Sequence, residues 1–170
     1  MSNYKYYPTL DDPDFYKKIY VKKEFNKNKI PINKQSFDEI CNSKEFKLLP
    51  QQRFLKNFIS MNTPYNGVLI FHGTGVGKTC SAISIAEGFK SLIDNDNDKR
   101  ILVIVSKNIQ DNFKKEIFDP QKDIKKRRDE YTQCTGLNYE LLKQDEFISK
   151  EEKYKKIKYL INSNYEFHAY

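Results

Sequence analysis

The sequence predicts an α/β fold in which parallel strands are flanked by helices. Residues 68–71 (Val-Leu-Ile-Phe) and residues 101–105 (Ile-Leu-Val-Ile-Val) are short, continuous apolar runs of the kind that buried parallel strands have. Each run is followed by apolar residues at helical spacing. These are Ala82, Ile85, Ala86 and Phe89 after the first run, and Ile109, Phe113 and Ile117 after the second. Alternation of strands and helices is the pattern from which parallel sheets are built.

The first 33 residues are predicted to form an extended arm. Pro8, Pro13 and Pro31 interrupt this segment, and it has no long helical pattern. Its aromatic side chains are too many for a free disordered tail, so we expect the arm to pack on the domain or on a partner. The chain therefore divides into an arm, residues 1–33, and an α/β domain, residues 34–170.

Further elements are expected from local signals. Capping boxes and a proline mark helix starts, and apolar–polar alternation marks a strand. The helices are expected at about residues 36–46, from Pro50 onward and from Ser149 onward, and the strands at residues 131–134 and 165–170.

A glycine-rich loop joins the first predicted strand to its helix. Residues 72–79 read His-Gly-Thr-Gly-Val-Gly-Lys-Thr, and the strand–loop–helix context is the one that a phosphate-binding loop (P-loop) requires. Glycines let the backbone approach the phosphates, while backbone N–H groups and the helix N-terminus attract them. Lys78 should reach the β- and γ-phosphates, and the Thr79 hydroxyl should ligate Mg²⁺. The expected phosphate-binding set is His72, Gly73, Thr74, Gly75, Val76, Gly77, Lys78, Thr79 and Cys80, with His72 where a first glycine is usual.

Composition and cysteine spacing limit the partners and the cellular locations that are expected for the protein. The net charge of +7 is compatible with a nucleic-acid partner and equally with a lysine-rich solvated surface, and the same two interpretations apply to the basic cluster at residues 125–128. No apolar stretch is long enough to span a membrane, and the N-terminus has no secretory pattern. The widely spaced cysteines, Cys41, Cys80 and Cys134, form no CxxC pair, which favours a reducing, intracellular location over a disulfide framework.

The loop and its surroundings resemble the N-terminal RecA-like lobe of superfamily 2 helicases and translocases. Residues 72–79 are similar to motif I of that family, and residues 48–52 (Leu-Leu-Pro-Gln-Gln) are similar to the segment that precedes it. In the family a glutamine there contacts adenine. The resemblance gives that role to Gln52, with Gln51 as the adjacent alternative, and so favours ATP.

Residues 105–116 are similar to motif Ia and its helix in the same enzymes. The family uses this strand end to contact the nucleic-acid backbone. The resemblance therefore implies that Ser106, Lys107 and Asn108 contact nucleic acid through a hydroxyl, a charge and an amide. From the residues alone, an ordinary strand-to-helix loop explains them nearly as well.

A closer resemblance is to the helicases of large cytoplasmic DNA viruses. It rests on residues 63–82 around the loop and, more loosely, on residues 7–13 and 23–25 of the arm. It implies a role in transcription or genome handling, DNA as a partner more than RNA, contact between the arm and transcription machinery, and a location in the host cytoplasm or the virion.

Hydrolysis in these enzymes needs motif II, an apolar strand that ends in Asp-Glu. The three Asp-Glu pairs, at residues 38–39, 129–130 and 145–146, follow no buried strand. We therefore expect an incomplete RecA-like lobe that ends before motif II, binds nucleotide and hydrolyses it poorly. Two alternatives stay open: a complete small P-loop kinase or transferase, and a non-enzymatic remnant that serves as an interaction module.

Overall fold

The computed structural model describes residues 4–30, 48–94, 96, 98–119, 133–135 and 149–170. The chain divides into two units, one formed by Met1–Ile40 with Leu48–Phe89 and the other by Cys41–Lys47 with Lys90–Tyr170. The N-terminal segment thus groups with the glycine-rich loop in one unit. The division of the chain at residue 33 stays a prediction.

The first unit is helical in its described part. A 3₁₀ turn at Tyr4–Tyr6 is followed by the helices α1 (Phe15–Val21) and α2 (Lys23–Asn26), and later by α3 (Pro50–Phe58) and α4 (Lys78–Glu87). The N-terminal segment was predicted to be extended. The structure differs from this prediction, because helix α1 begins at Phe15, two residues after Pro13. The Asp12 carboxylate accepts the Asp14 N–H at 2.9 Å, and the Asp12 carbonyl accepts the Phe15 N–H at 2.9 Å.

Aromatic side chains from the N-terminal segment form the core of this unit. Ile19 and Phe25 are buried against Ile59 and Tyr65. The packing is fixed by polar contacts as well, since the Tyr65 hydroxyl donates to the Pro8 carbonyl at 2.8 Å. The core is completed by the partly buried side chains of Tyr7, Phe15, Phe54, Phe58, Ile85 and Phe89. The expectation that the segment packs on the domain is confirmed.

The second unit contains a parallel strand pair. Its elements are α5 (Lys90–Asp94), β1 (Ile101–Ile104), α6 (Lys107–Ile117), α7 (Lys150–Asn164) and β2 (Tyr165–His168). Strand β1 pairs with β2 in parallel, from Ile101 opposite Tyr165 to Ile104 opposite His168. Helix α7 begins with the predicted capping box, in which Glu152 N–H donates to Ser149 Oγ at 3.3 Å and Ser149 N–H donates to Glu152 Oε2 at 3.1 Å.

The first predicted strand differs from the prediction. Residues 68–71 form no strand in the structure, and Leu69 and Phe71 are 89% and 92% exposed. A strand is hydrogen-bonded only through a neighbouring strand, and the described part of the chain pairs none with these residues. The run is therefore neither buried nor part of the described sheet.

Several predicted features lie outside the described residues. They are the helix at residues 36–46, the basic cluster at 125–128, the three Asp-Glu pairs and part of the candidate strand at 131–134, whose described residues 133 and 134 form a bend and a turn. Within the residues that the structure describes, no helix has the length and apolar character needed to cross a membrane.

Candidate nucleotide-binding site

The glycine-rich loop leads directly into helix α4, which begins at Lys78. Gly75 and Gly77 have φ angles of 78° and 79°, in the left-handed region that glycine adopts without steric cost. The loop therefore turns at the second and third of its glycines. Thr74 and Val76 are exposed beside them, and Cys80 is buried in the helix that follows.

Gly77 is the residue at which the loop is tied to the rest of the unit. Its carbonyl accepts the Ser81 N–H at 3.0 Å and the Ser81 hydroxyl at 3.2 Å, which starts helix α4. The same carbonyl accepts a third hydrogen bond from Gln52 Nε2 at 3.2 Å. A Cβ atom on Gly77 would lie 2.5 Å from that nitrogen, so Gln52 occupies the space that any larger residue would need.

Gln52 lies under the loop from helix α3. It is 4% exposed. Its Oε1 accepts the Leu49 N–H at 2.8 Å while its Nε2 donates to Gly77, so both ends of the amide meet backbone groups. Gln51, the alternative for the same role, is half-buried. The structure thus brings Gln52 to the loop, in contact with protein backbone at both ends of its amide.

The Lys78 side chain folds back over the loop. Its ammonium donates to the carbonyls of His72 at 3.0 Å and Gly73 at 2.7 Å, and the side chain is exposed. Because these carbonyls are neutral acceptors, a phosphate oxygen would form a stronger, charge-assisted bond with the same ammonium. Lys78 is therefore placed to exchange two loop carbonyls for phosphate.

Two other loop side chains differ in environment. The Nδ1 atom of His72 is buried and has no hydrogen-bond partner in the described part of the chain. Thr79 is half-buried at the start of helix α4. Its hydroxyl is a hard oxygen ligand, the kind that Mg²⁺ prefers. Among the described residues, no three His, Cys, Asp or Glu side chains are grouped to hold a metal by themselves.

The cysteines differ from the expectation drawn from their spacing. Cys80 and Cys134 are both disulfide-bonded in the structure. The absence of a CxxC pair carried no signal for this, because disulfides depend on spatial proximity and not on spacing along the chain.

The residues similar to motif Ia lie in the second unit, where β1 leads into α6. Ser106 is the N-cap residue of α6, and its side chain makes no capping hydrogen bond. Ser106 is half-buried, while Lys107 and Asn108 are exposed. The Val105 N–H donates to the His168 carbonyl at 3.1 Å, so the strand pair continues up to this point. The three side chains thus follow the carboxyl end of a parallel strand, where ligands of open α/β sheets bind.

The sequence did not predict the hydrogen bonds that hold the loop in place. The Gln52–Gly77 hydrogen bond joins residues 25 positions apart, and Lys78 contacts carbonyls five and six positions earlier. Neither contact has a spacing signal. The close approach of the Gln52 amide to Gly77 likewise follows only from the folded structure.

The described residues form helices and a two-stranded parallel sheet, which are compatible with an α/β protein of the RecA-like P-loop class but make up only part of that fold. Residues 45–167 match the family described as "Type III restriction enzyme, res subunit", and the chain belongs to this family of superfamily 2 helicases. The resemblance drawn from residues 48–116 is confirmed.

Individual relatives are viral. The chain is 37% identical over 150 residues to "Putative ATP-dependent RNA helicase L377" of Acanthamoeba polyphaga mimivirus, a match covering 84% of this chain and 12% of that protein. It is 37% identical over 117 residues to "Putative ATP-dependent RNA helicase R563" of the same virus, covering 69% of this chain and 19% of that protein. "Putative helicase 087L" of Invertebrate iridescent virus 3 is 36% identical over 78 residues, which cover 41% of this chain and 8% of that protein.

These matches bear out the resemblance to helicases of large DNA viruses. The chain spans less than a fifth of the length of the mimivirus relatives that it matches. No solved structure matches the chain.

Proposed function

We propose that this chain is the ATP-binding part of a viral-type helicase or translocase that acts on nucleic acid in transcription or genome handling. The observation that carries the proposal is the loop itself. Two glycines with φ angles in the left-handed region precede a helix that begins at Lys78. The Lys78 ammonium donates hydrogen bonds to two loop carbonyls, which phosphate oxygens would replace. Family membership supports ATP use and nucleic-acid binding in general.

In this proposal, different loop residues contact different parts of a nucleoside triphosphate and its metal ion. The residues from His72 to Cys80 would surround the phosphates, with backbone N–H groups and the N-terminus of α4 directed at them. Lys78 would neutralise the β- and γ-phosphates, and the Thr79 hydroxyl would ligate Mg²⁺. A Mg²⁺ ion held by the Thr79 hydroxyl would supply positive charge beside the phosphates.

We expect the chain by itself to hydrolyse ATP poorly. Hydrolysis in this family depends on an Asp-Glu pair after an apolar strand, and no Asp-Glu pair follows an apolar run in this sequence. The support is thus a pattern in the sequence, and a turnover measurement decides it.

The nucleic-acid contact is proposed at Ser106, Lys107 and Asn108. Support comes from the exposure of Lys107 and Asn108 beyond a strand end and from the family. We propose DNA as the preferred partner, although the two mimivirus relatives are named as RNA helicases. The N-terminal segment is proposed to contact transcription machinery, in the cytoplasm of the host cell or in the virion.

One set of measurements tests the nucleotide part of this proposal. ATP binding and turnover are measured on the full chain and on Lys78→Ala, each with and without single-stranded DNA or RNA. We expect the wild type to bind Mg-ATP with little turnover, and Lys78→Ala to weaken binding by about 100-fold, because two charge-assisted contacts are lost.

Other outcomes point elsewhere. Strong turnover stimulated by nucleic acid would contradict the claim of poor hydrolysis. Absence of ATP binding by the folded wild type would contradict the proposed function and favour an interaction module. Phosphoryl transfer to a small acceptor would favour a kinase. Tighter binding to RNA than to DNA of the same length and sequence would reverse the proposed preference.

A further inference from the structure

We propose that the N-terminal segment carries a second contact for single-stranded nucleic acid, at which a basic cleft holds a backbone phosphate while the Tyr6 ring stacks on a base. The inference rests on the proposed function, since it takes nucleic acid as the partner of this chain. It adds a site in the first unit, whereas Ser106, Lys107 and Asn108 belong to the second.

The basic cleft is lined by residues of the 3₁₀ turn at Tyr4–Tyr6 and of the C-terminal half of α1, and its volume is about 390 Å³. This volume is within the range of about 300–1,000 Å³ that small-molecule sites have. Three ammonium groups line the cleft, together with one carboxylate, and they belong to Lys5, Lys18, Lys22 and Asp12. The excess of positive charge is complementary to a polyanion.

The charged groups of the cleft differ in what already holds them. The Asp12 carboxylate is paired with Lys18 Nζ at 2.6 Å, so these two charges neutralise each other. The exposed Lys5 ammonium has no ion pair or hydrogen bond within the described part of the chain. Lys22 Nζ lies over the Tyr7 ring, 4.4 Å from its centroid, a contact that leaves its N–H groups free to donate. Lys5 and Lys22 are therefore the cations available to a phosphate.

The backbone on both sides of Tyr6 is anchored. The Tyr4 hydroxyl donates to the Met61 carbonyl at 3.0 Å, and the Tyr7 hydroxyl donates to Glu24 Oε1 at 2.8 Å. Because the turn is already fixed by these bonds, ligand binding costs little further ordering of the chain.

Tyr6 itself is 74% exposed, and its hydroxyl has no hydrogen-bond partner among the described residues. Proteins that bind single strands without sequence preference combine such rings, on which bases stack, with cations that contact the backbone. One nucleotide supplies both a phosphate and a flat ring, whereas an acidic side chain of a protein supplies the charge alone. The combination of Lys5, Tyr6 and Lys22 therefore favours nucleic acid over an acidic protein segment.

The first experiment measures the affinity of the full chain for a single-stranded oligothymidylate of about 16 nucleotides. The oligonucleotide has no terminal phosphates, so that none competes for the glycine-rich loop. Tyr6→Ala should weaken binding by about tenfold, the effect of losing one stacked base, while Tyr6→Phe keeps the ring and should bind like the wild type. Tyr159→Ala is the matched control, since Tyr159 in α7 is 72% exposed, and it should leave the affinity unchanged.

A second measurement tests the phosphate contact through its salt dependence. The slope of the logarithm of the association constant against the logarithm of salt concentration should become shallower by about 0.7 in Lys5→Gln, and by a similar amount in Lys22→Gln. Lys17→Gln is the control, because Lys17 is paired with Asp14 at 3.2 Å and does not line the cleft. Its slope should equal that of the wild type.

A third measurement detects stacking directly and does not depend on the stability of Tyr6→Ala. The chain contains no tryptophan, so Tyr6→Trp introduces a single indole at the cleft. Its fluorescence should be quenched when the oligonucleotide is added, because a base stacks on the ring. The fluorescence of Tyr159→Trp should not change.

The outcomes separate this inference from the proposed function. Unchanged affinity of Tyr6→Ala together with unquenched Tyr6→Trp would overturn the inference and leave the cleft to an acidic protein partner. Equal losses in Tyr6→Ala and Tyr159→Ala would also overturn it. Binding that is lost in Lys107→Ala and unchanged in the cleft variants would overturn it while supporting the contact proposed in the second unit. If the wild type binds no single-stranded nucleic acid, the proposed function itself fails, which is a different result.

Discussion

Two regions of the first unit that carry large apolar side chains differ in how far those side chains are buried. The N-terminal segment buries Ile19 and Phe25 against Ile59 and Tyr65. The run at residues 68–71, in which every residue is apolar, leaves Leu69 and Phe71 exposed. A helix satisfies its own backbone and needs only a surface to pack on, whereas a strand needs a neighbouring strand for its N–H and C=O groups. Burial therefore depends on what partner the described chain supplies, and not on apolar character alone.

The largest effect is expected in the buried region. Phe25→Ala should lower the free energy of unfolding by about 3–5 kcal/mol, because it removes a 3% exposed ring that packs on Phe54 and Phe58. Urea unfolding measures the change. Leu10→Ala is the control, since Leu10 is 76% exposed and its loss should cost less than about 0.5 kcal/mol. Equal effects of the two variants would show that the segment is not anchored as the structure has it.

A smaller effect tests the polar anchor of the same core. Tyr65→Phe leaves the Pro8 carbonyl without the hydroxyl that donates to it at 2.8 Å in a buried position. We expect a loss of about 1–2 kcal/mol, since an acceptor left unsatisfied loses more than the net value of one hydrogen bond. The measurement is thermal or urea unfolding at neutral pH. A stability equal to that of the wild type would mean that water reaches the carbonyl.

The pH dependence of stability gives a third test. Burial, together with the hydrogen bond that Tyr7 donates to Glu24 at 2.8 Å, raises the pKa of Tyr7 to about 12 from its ordinary 10. The folded state therefore holds this proton more tightly than the unfolded state. Its stabilising contribution is complete below pH 10 and is lost as the pH rises from 10 to 12.

We expect the loss to be on the order of 1 kcal/mol, given partial solvent screening. Because high pH also affects the rest of the chain, the quantity to measure is the difference between wild type and Tyr7→Phe in urea midpoints at several pH values. A difference that stays constant from pH 9 to 12 would contradict the raised pKa.

The smallest effect is expected in the exposed run. Phe71→Ser should change the free energy of unfolding by less than about 0.5 kcal/mol, because the ring is 92% exposed and loses no packing. Phe89→Ser, at a half-buried position of the first core, is the contrasting variant and should destabilise clearly. A large loss from Phe71→Ser would show that the run is buried in solution.

Much of the fold was predictable where the signal is local. The periodicity of Ile109, Phe113 and Ile117 predicted α6, and the Ser149–Glu152 capping box predicted the start of α7. The apolar run at residues 101–105 predicted β1, and the apolar–polar alternation at residues 165–170 predicted β2. The helices α1 and α2 were missed because they are short and lie among prolines, so that propensity is weak and packing decides.

The candidate site was likewise predictable only where its residues are close together in the sequence. The loop from His72 to Thr79 was readable because its glycines, lysine and threonine are contiguous, while the bridge from Gln52 to Gly77 spans 25 positions and depends on how α3 packs beside α4. The nucleic-acid contacts at Ser106, Lys107 and Asn108 stay predictions.

The exposure of residues 68–71 has a consequence for the behaviour of the chain in solution. An exposed, apolar, uncharged segment with β-branched and aromatic side chains favours intermolecular strand pairing. The net charge of +7 opposes that pairing by repulsion between molecules. Added salt screens the repulsion and leaves the apolar attraction intact. Self-association of this chain should therefore grow with ionic strength, in contrast to proteins that are held together by ion pairs.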